Sequence, residues 1–399
     1  FVHYFIADEA TFITVITKNE IYCKRVNVTA SYLETLVKQI SPFISDNPNA
    51  ADWGMNPFRL DLAGQVYKLI FEPIKEWIPP QSTVIISPHG IINRLPFGAL
   101  VTNLEELTDN NDFNYARFLI EDFVISYAPY AKFLTLPNAR DKDAQGTLLA
   151  FANSTRRPES ERVTLRNYYS NGKSKSITDE NYLKKISSSF GKDTTELYSG
   201  EAATKDRFVK ESLNYQIIHL AIPHSLDERS ALYSKLYFSD SPGGNTLETH
   251  EIFNLNLNAD LLVLSNQSKF KILDEGSLNG FLLGANLARV PTIVTRIWET
   301  AGVNSPELFE SFYLNLKLGL SKAEALQQAK VTYLEKVSRN PLQWAPYLLH
   351  GDPQPMSFQS SSKYWLFYIT LLGMAVFITL VVWQFLKINK EPTQEVKSA

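Results

Sequence analysis

The feature that most constrains this chain is a four-residue apolar run, Leu261-Leu262-Val263-Leu264, entered from Asp260 and closed at once by Ser265-Asn266-Gln267-Ser268. A run that short with no alternating polar residue has no face to give to water. It suits a central strand covered on both sides. In open α/β sheets the carboxyl ends of such strands carry the site. The residue best placed there is Gln267, whose amide is neutral and does not attack. No cysteine and no metal-binding cluster surrounds it.

The rest of the chain reads as strands and helices placed around that run. Residues 1–28 alternate as a hairpin with Lys18-Asn19 at its turn. Helices are predicted over Ser31–Ile40 and Leu60–Trp77, the second with Leu62, Val66, Leu69 and Ile70 at helical spacing and Pro79-Pro80 at its end. Asp46–Asn56 reads as a loop. Thr83–Ser87 and Phe118–Tyr127 read as strands, and residues 137–146 as a linker. Beyond the linker, strands at Leu148–Ala152, Thr194–Tyr198, Tyr215–Ile222, Leu232–Ser239 and Thr292–Trp298 alternate with helices. Those helices fall at Asn181–Phe190, Ala203–Leu213 (capped by Thr204), Thr246–Leu255, Gly276–Arg289, Ser305–Leu318 and Lys322–Val337. Arg156–Ser176 is polar and aperiodic, a surface loop. Alternating strands and helices predict a mostly parallel sheet with helices on both faces.

Composition excludes some functions. A net charge of -3 over 399 residues gives no pull towards nucleic acid. The single cysteine, Cys23, permits no intrachain disulfide and lies in an apparent strand, IYCKRV, as a small side chain rather than a reactive thiol. His3, His89, His250 and His350 show no metal-ligand spacing, so no metal and no cofactor is expected. No signal peptide is visible at Phe1, and a chain that does not start with Met is expected to be a processed form or a fragment. Residues 364–386 form an uncharged apolar run between Lys363 and Lys387, with Tyr364, Trp365 and Tyr368 at one end and Trp383 at the other. That length and those aromatic ends predict a single transmembrane helix. Residues 357–363 are its linker and 387–399 its tail.

Several stretches resemble the CHAT domain, a caspase-like module of the clan CD cysteine peptidases, over about residues 1 to 355. TVIISPHGIINRLPFGAL and LIEDFVISYAP are similar to segments of its first half. IIHLAIPHS resembles HLATHG, and DLLVLSNQSKF resembles a strand ending in LSACxTG. TIVTRIWE, LFESFYLNLKLGLSKAEALQQAK and NPLQWAPYLLHGDP resemble the closing motifs. The resemblance implies a caspase-like three-layer α/β/α sandwich, with residues 1–136 as the N-terminal part and 137–356 as the caspase-like core. In active members a histidine deprotonates a cysteine thiol, which attacks a peptide carbonyl. Here the cysteine position falls on Gln267 and its neighbour on Asn266. Pro223 or His224 stands in the histidine motif, and Asn304 stands near where active members tend to be acidic. His219, inside an apolar strand, reads as a hydrogen-bonded core residue.

The expectation is therefore a membrane-anchored pseudopeptidase without catalytic residues, whose degenerate dyad positions are His224 and Gln267. Asn266, Gln267 and His224 would line a groove for a protein or peptide partner, with helical repeats upstream as a further route to partners. One alternative is a hydrolase using Ser268 with His224, although Ser268 faces away from the side a residue at 267 faces. The other is a purely structural subunit of a membrane complex. Lys387, Lys390 and Lys397 favour a cytoplasmic tail and so an outer, periplasmic domain if the source is bacterial; the alternative is a cytoplasmic domain.

Overall fold

A computed structural model describes residues 1–41, 44, 58–107, 109, 112–134, 144–152, 179–225, 227, 230–257, 259–265, 275–298, 306–358 and 363–388. The loop at 46–56, most of the linker at 137–146, the surface loop at 156–176, Asn266, Gln267, Ser268 and Asn304 lie outside them. So does nearly all of the tail. The chain divides into two units, Phe1–Met356 and Ser357–Ala399.

The first unit is built on an eleven-stranded sheet in the order β3-β2-β1-β4-β5-β14-β13-β12-β8-β6-β7. Its strands are β1 (Val2–Ile6), β2 (Thr11–Ile16), β3 (Ile21–Val26), β4 (Thr83–Ser87), β5 (Val124–Tyr127), β6 (Gly146–Ala152), β7 (Thr195–Ser199), β8 (Tyr215–Ala221), β12 (Leu261–Leu264), β13 (Thr292–Arg296) and β14 (Tyr347–Gly351). The first three strands are antiparallel, as is β13 against β14; the other pairings are parallel. One continuous sheet thus runs through the residues on both sides of 137. A second sheet of three short strands holds β9 (His224–Ser225), β10 (Lys235–Tyr237) and β11 (Thr246–Glu248).

The helices are α1 (Ala30–Ile40), α2 (Leu60–Ile70), α3 (Asp179–Phe190), α4 (Lys205–Glu211), α5 (Thr249–Ile252), α6 (Glu275–Leu287), α7 (Pro306–Lys317), α8 (Lys322–Lys336), α9 (Pro341–Trp344) and α10 (Lys363–Ile388). Strand β8 shows why the sheet needs cover on two faces. Ile218 and Leu220 pack in one apolar cluster with Phe208 of α4 and Phe281 and Leu282 of α6. His219, between them, points the other way, to Tyr182 of α3 and Tyr313 of α7. Successive strand side chains face opposite sides, so helices lie on both. This is the three-layer α/β/α arrangement expected from the sequence. The four β12 side chains are 0–2% exposed. Burying them stabilises the fold by on the order of 6–12 kcal/mol, an upper figure against an extended chain.

Four predicted elements differ. The helix from Leu60 ends at Ile70 and passes into a tighter 3-10 turn over Glu72–Trp77. Pro73 has no N–H to give and cannot sit inside an α-helix. Phe118–Phe123 is not strand: a 3-10 turn spans Leu119–Glu121, and the Glu121 carboxylate accepts the Phe118 N–H at 2.7 Å. Thr246–Glu248 is strand β11 rather than the start of a helix, paired antiparallel with β10. The strand expected over Leu232–Ser239 shortens to Lys235–Tyr237.

In the second unit, α10 is long and apolar enough to cross a membrane. Its window Tyr368–Phe385 has a mean hydropathy of 1.9 and no buried residue.

Candidate functional site

The site is placed by three neighbouring carboxyl ends. Leu264 of β12 is level with Leu220 of β8, and Val263 with Val294 of β13. The Ser265 N–H donates to the Leu220 carbonyl at 3.2 Å, so β12 stays in register to its last residue. Arg296 closes β13. It is 2% exposed, its Nε donates to the Trp298 carbonyl at 3.0 Å, and its Nη1 donates to the Ser265 carbonyl at 3.3 Å. Its guanidinium lies 5.7 Å from the centre of the Tyr347 ring. An arginine fork that reaches two carbonyls and an aromatic face fixes the ends of β12 and β13 together.

His224 reaches the same end by a different route. Past β8 the chain runs Ile222-Pro223, and the Pro223 carbonyl accepts the Tyr237 N–H at 2.9 Å. His224 then pairs with Leu236 and Ser225 with Lys235. Proline supplies no N–H, yet its carbonyl starts the small sheet that holds the histidine in place. His224 is 4% exposed, and no hydrogen-bond partner meets its Nδ1 among the described residues. Burial pushes its pKa down to about 4, the Ile222 carbonyl opposes that shift, and the Arg296 charge adds to it. The imidazole is therefore neutral near pH 7, with one nitrogen to accept a proton and one to donate.

His219 has another part. Its Nδ1 meets the Tyr313 hydroxyl at 2.8 Å and its Nε2 the Tyr182 hydroxyl at 3.3 Å. The Tyr182 hydroxyl in turn meets Ser265 Oγ at 2.7 Å. Burial pushes the His219 pKa down to about 3. This is a hydrogen-bonded core histidine, and it braces α3 and α7 against the end of β12.

Of the predicted site residues, the structure puts His224 beside the carboxyl ends. Asn266, Gln267 and Ser268 follow Ser265 directly in sequence but lie outside the described residues. Sequence reasoning passed over Arg296, although a lone charge inside the apolar run TIVTRIW was a usable signal. Tyr182 and Tyr313 gave none, because each looks like an ordinary apolar position on its helix. Cys23 sits on β3, the sheet's outer strand, seven strand positions from β12. At the usual strand spacing that is about 34 Å away, out of reach of His224. Among the described residues no group of three or more His, Cys, Asp or Glu side chains could hold a metal.

A mostly parallel sheet between helix layers, with a buried histidine just past the end of a core strand, agrees with the caspase-like sandwich that the sequence resemblance implies. The family model of the CHAT domain matches residues 60–352, and the chain belongs to that family. Among solved structures it is similar to Saccharomyces cerevisiae separase in its complex with securin. The identity there is 13% and the TM-score 0.40, over 68% of this chain and 15% of the separase chain, so it spans a small part of that protein. It is also similar to the Arg-specific cysteine proteinase gingipain R, at 10% identity and TM-score 0.39, over 82% of this chain and 68% of that one. The complex of Porphyromonas gingivalis RgpB pro- and mature domains gives 11% identity and TM-score 0.41, over 82% and 77%. No curated protein matches the chain.

Proposed function

We propose that this CHAT-family chain is a pseudopeptidase, anchored in a membrane by α10, that binds a protein or peptide without cutting it. One observation carries the reading. The chain's only cysteine is Cys23, at the sheet's far edge, whereas the strand that ends beside His224 continues into Asn266 and Gln267. A carboxamide cannot form the acyl intermediate that a thiolate forms. It can still donate and accept hydrogen bonds, as the neutral His224 can, and those are what an extended peptide backbone offers in return. The binding residues are then Asn266, Gln267 and His224. The lysines of the tail favour a cytoplasmic C-terminus and an outer domain.

The test uses the full chain purified from solubilised membranes. Wild type retains a co-purifying protein or peptide and cleaves no peptide from a mixed library. Gln267→Trp loses that partner while its thermal unfolding is unchanged. Peptide cleavage that disappears in His224→Ala would overturn the reading, and so would labelling by a fluorophosphonate probe that is lost in Ser268→Ala.

A further inference from the structure

The sheet edge formed by β3 is covered by no further strand among the described residues. In the hairpin before it the Thr17 N–H donates to the Glu20 carbonyl at 2.9 Å, while Ile16 exchanges both of its backbone bonds with Phe1, at 2.8 and 2.9 Å. An antiparallel ladder alternates bonded and non-bonded pairs. Ile16 and Ile21 are therefore a non-bonded pair, and Tyr22, Lys24 and Val26 give their backbone groups to β2. The N–H and C=O groups of Ile21, Cys23 and Arg25 point outward, and among the described residues nothing takes them. The strand is six residues long, holds no proline, and is stiffened by Tyr22, which stacks on Trp77 with ring centres 4.8 Å apart. Such an edge is a template for one more strand.

The side chains decide what kind of strand. Ile21, Cys23, Lys24 and Arg25 are all exposed. Lys24 lies over the Trp77 ring at 6.0 Å and Arg25 bonds the Asn27 carboxamide, and neither meets a carboxylate among the described residues. Glu20, just before the strand, accepts the Tyr22 hydroxyl. In a chain of net charge -3 this edge thus presents two adjacent cations, one on each face. A second copy fits poorly. Antiparallel pairing centred on Cys23 would set Lys24 diagonally beside its own counterpart, and like charges there are unfavourable. One strand pair also covers far less than the roughly 1,200 Å² that a stable dimer needs. An acidic strand meets the same two charges favourably, and Ile21, 72% exposed beside Ile16, gives it an apolar foothold.

We propose that β3 docks one extended acidic segment of a partner protein, which joins the sheet antiparallel to it. Its backbone bonds the outward groups of Ile21, Cys23 and Arg25. Two successive acidic residues stand opposite Arg25 and Lys24, on opposite faces, and an apolar residue three positions after the second stands opposite Ile21. This surface is independent of the groove beside His224.

The experiment uses the full chain in nonionic detergent and the synthetic peptide TEEVTIT. Fluorescence anisotropy of the labelled peptide is expected to show saturable binding that salt weakens. Affinity falls about tenfold in Lys24→Glu combined with Arg25→Glu and is unchanged in Gln267→Trp. The lysine peptide TKKVTIT does not bind, nor does TEEVTIT N-methylated at its valine, the residue opposite Cys23. Hydrogen exchange resolved to single amides reads the geometry in wild type alone. The amides of Ile21, Cys23 and Arg25 exchange fast in the free chain and slow about tenfold with peptide bound, while those of Tyr22, Lys24 and Val26 hold steady. Absence of saturable binding overturns the proposal. So does binding that the N-methylated peptide keeps, that the charge reversals leave unchanged, or that Gln267→Trp abolishes. Slow exchange at Ile21, Cys23 and Arg25 without peptide overturns it too, because another segment of the chain or a second copy then already occupies the edge.

Discussion

Acid is expected to unfold this protein well before its carboxylates titrate, because three histidines are buried neutral. His219, His224 and His350 are 0%, 4% and 5% exposed, and burial pushes their pKa values down to about 3, about 4 and about 3. In the unfolded chain each returns to about 6.5. Below that value the unfolded state takes up three protons that the folded state refuses, so stability falls as pH falls from about 6.5 towards the folded values. Between pH 7 and 5.5 each histidine loses about 1.3 kcal/mol of stabilisation, so the three together lose about 4 kcal/mol. That is a large share of the roughly 5–15 kcal/mol that holds a typical domain. His3 is lowered too, by partial burial first and then by His89, and adds a fraction of a proton. The assay is urea unfolding of the full chain in nonionic detergent, followed by tryptophan fluorescence at several pH values, with the slope read as protons taken up. His350→Gln should cut the slope by one proton, since its Nε2 partner Thr295 Oγ1 can bond the amide instead. A slope of one proton or fewer in wild type would refute the reasoning, because these imidazoles would then be charged or hydrated inside the fold.

Three further outcomes are expected. Lys330 reverses the usual order for lysine. Burial on α8 pushes its folded pKa down to about 7, below its unfolded one, so stability should rise between pH 7 and about 10 and the rise should vanish in Lys330→Met. Tyr313→Phe leaves His219 Nδ1 buried without its partner and should cost about 1–3 kcal/mol of unfolding free energy by urea titration, with little change in backbone circular dichroism. Lys322 is 2% exposed and its amine meets Asp352 at 3.2 Å, so Asp352→Asn removes a counter-charge from a buried ammonium and should cost about 1.5–3 kcal/mol by urea titration, the usual worth of a hydrogen bond to a charged group.

Much of the fold was legible because its signals are local. The run 261–264 reads as a doubly covered strand wherever it occurs, and it became β12 at the sheet's interior. Thr204 reads as a helix cap and accepts the Arg207 N–H at the start of α4. Pro73 was equally visible, yet the apolar spacing on both sides of it hid the break at Ile70. The small sheet was legible only in part: a strand was expected over Leu232–Ser239, around Lys235–Tyr237, but Thr246–Glu248 read as helix and His224–Ser225 as no strand. Lys235–Tyr237 and Thr246–Glu248 are three residues each, too short to show a period, and they become strands by pairing with each other and with His224. Strand β14 was missed for a similar reason: YLLHG is ambiguous alone, and its antiparallel pairing with β13 makes it a strand.

The sequence alone determined that a buried core strand leads into carboxamides rather than a thiol, that the one cysteine lies in the first strands, and that the C-terminus carries a membrane-length apolar helix. Residue identity and short-range pattern suffice for those. Only the tertiary structure decided that β8, β12 and β13 end side by side, that Arg296 joins two of them, that His219 is bound by two tyrosines while His224 keeps a nitrogen without a partner among the described residues, and that Lys330 is buried. Each of these depends on which distant segments are brought together, and burial and hydrogen-bond partners belong to the packed chain, not to any window of it.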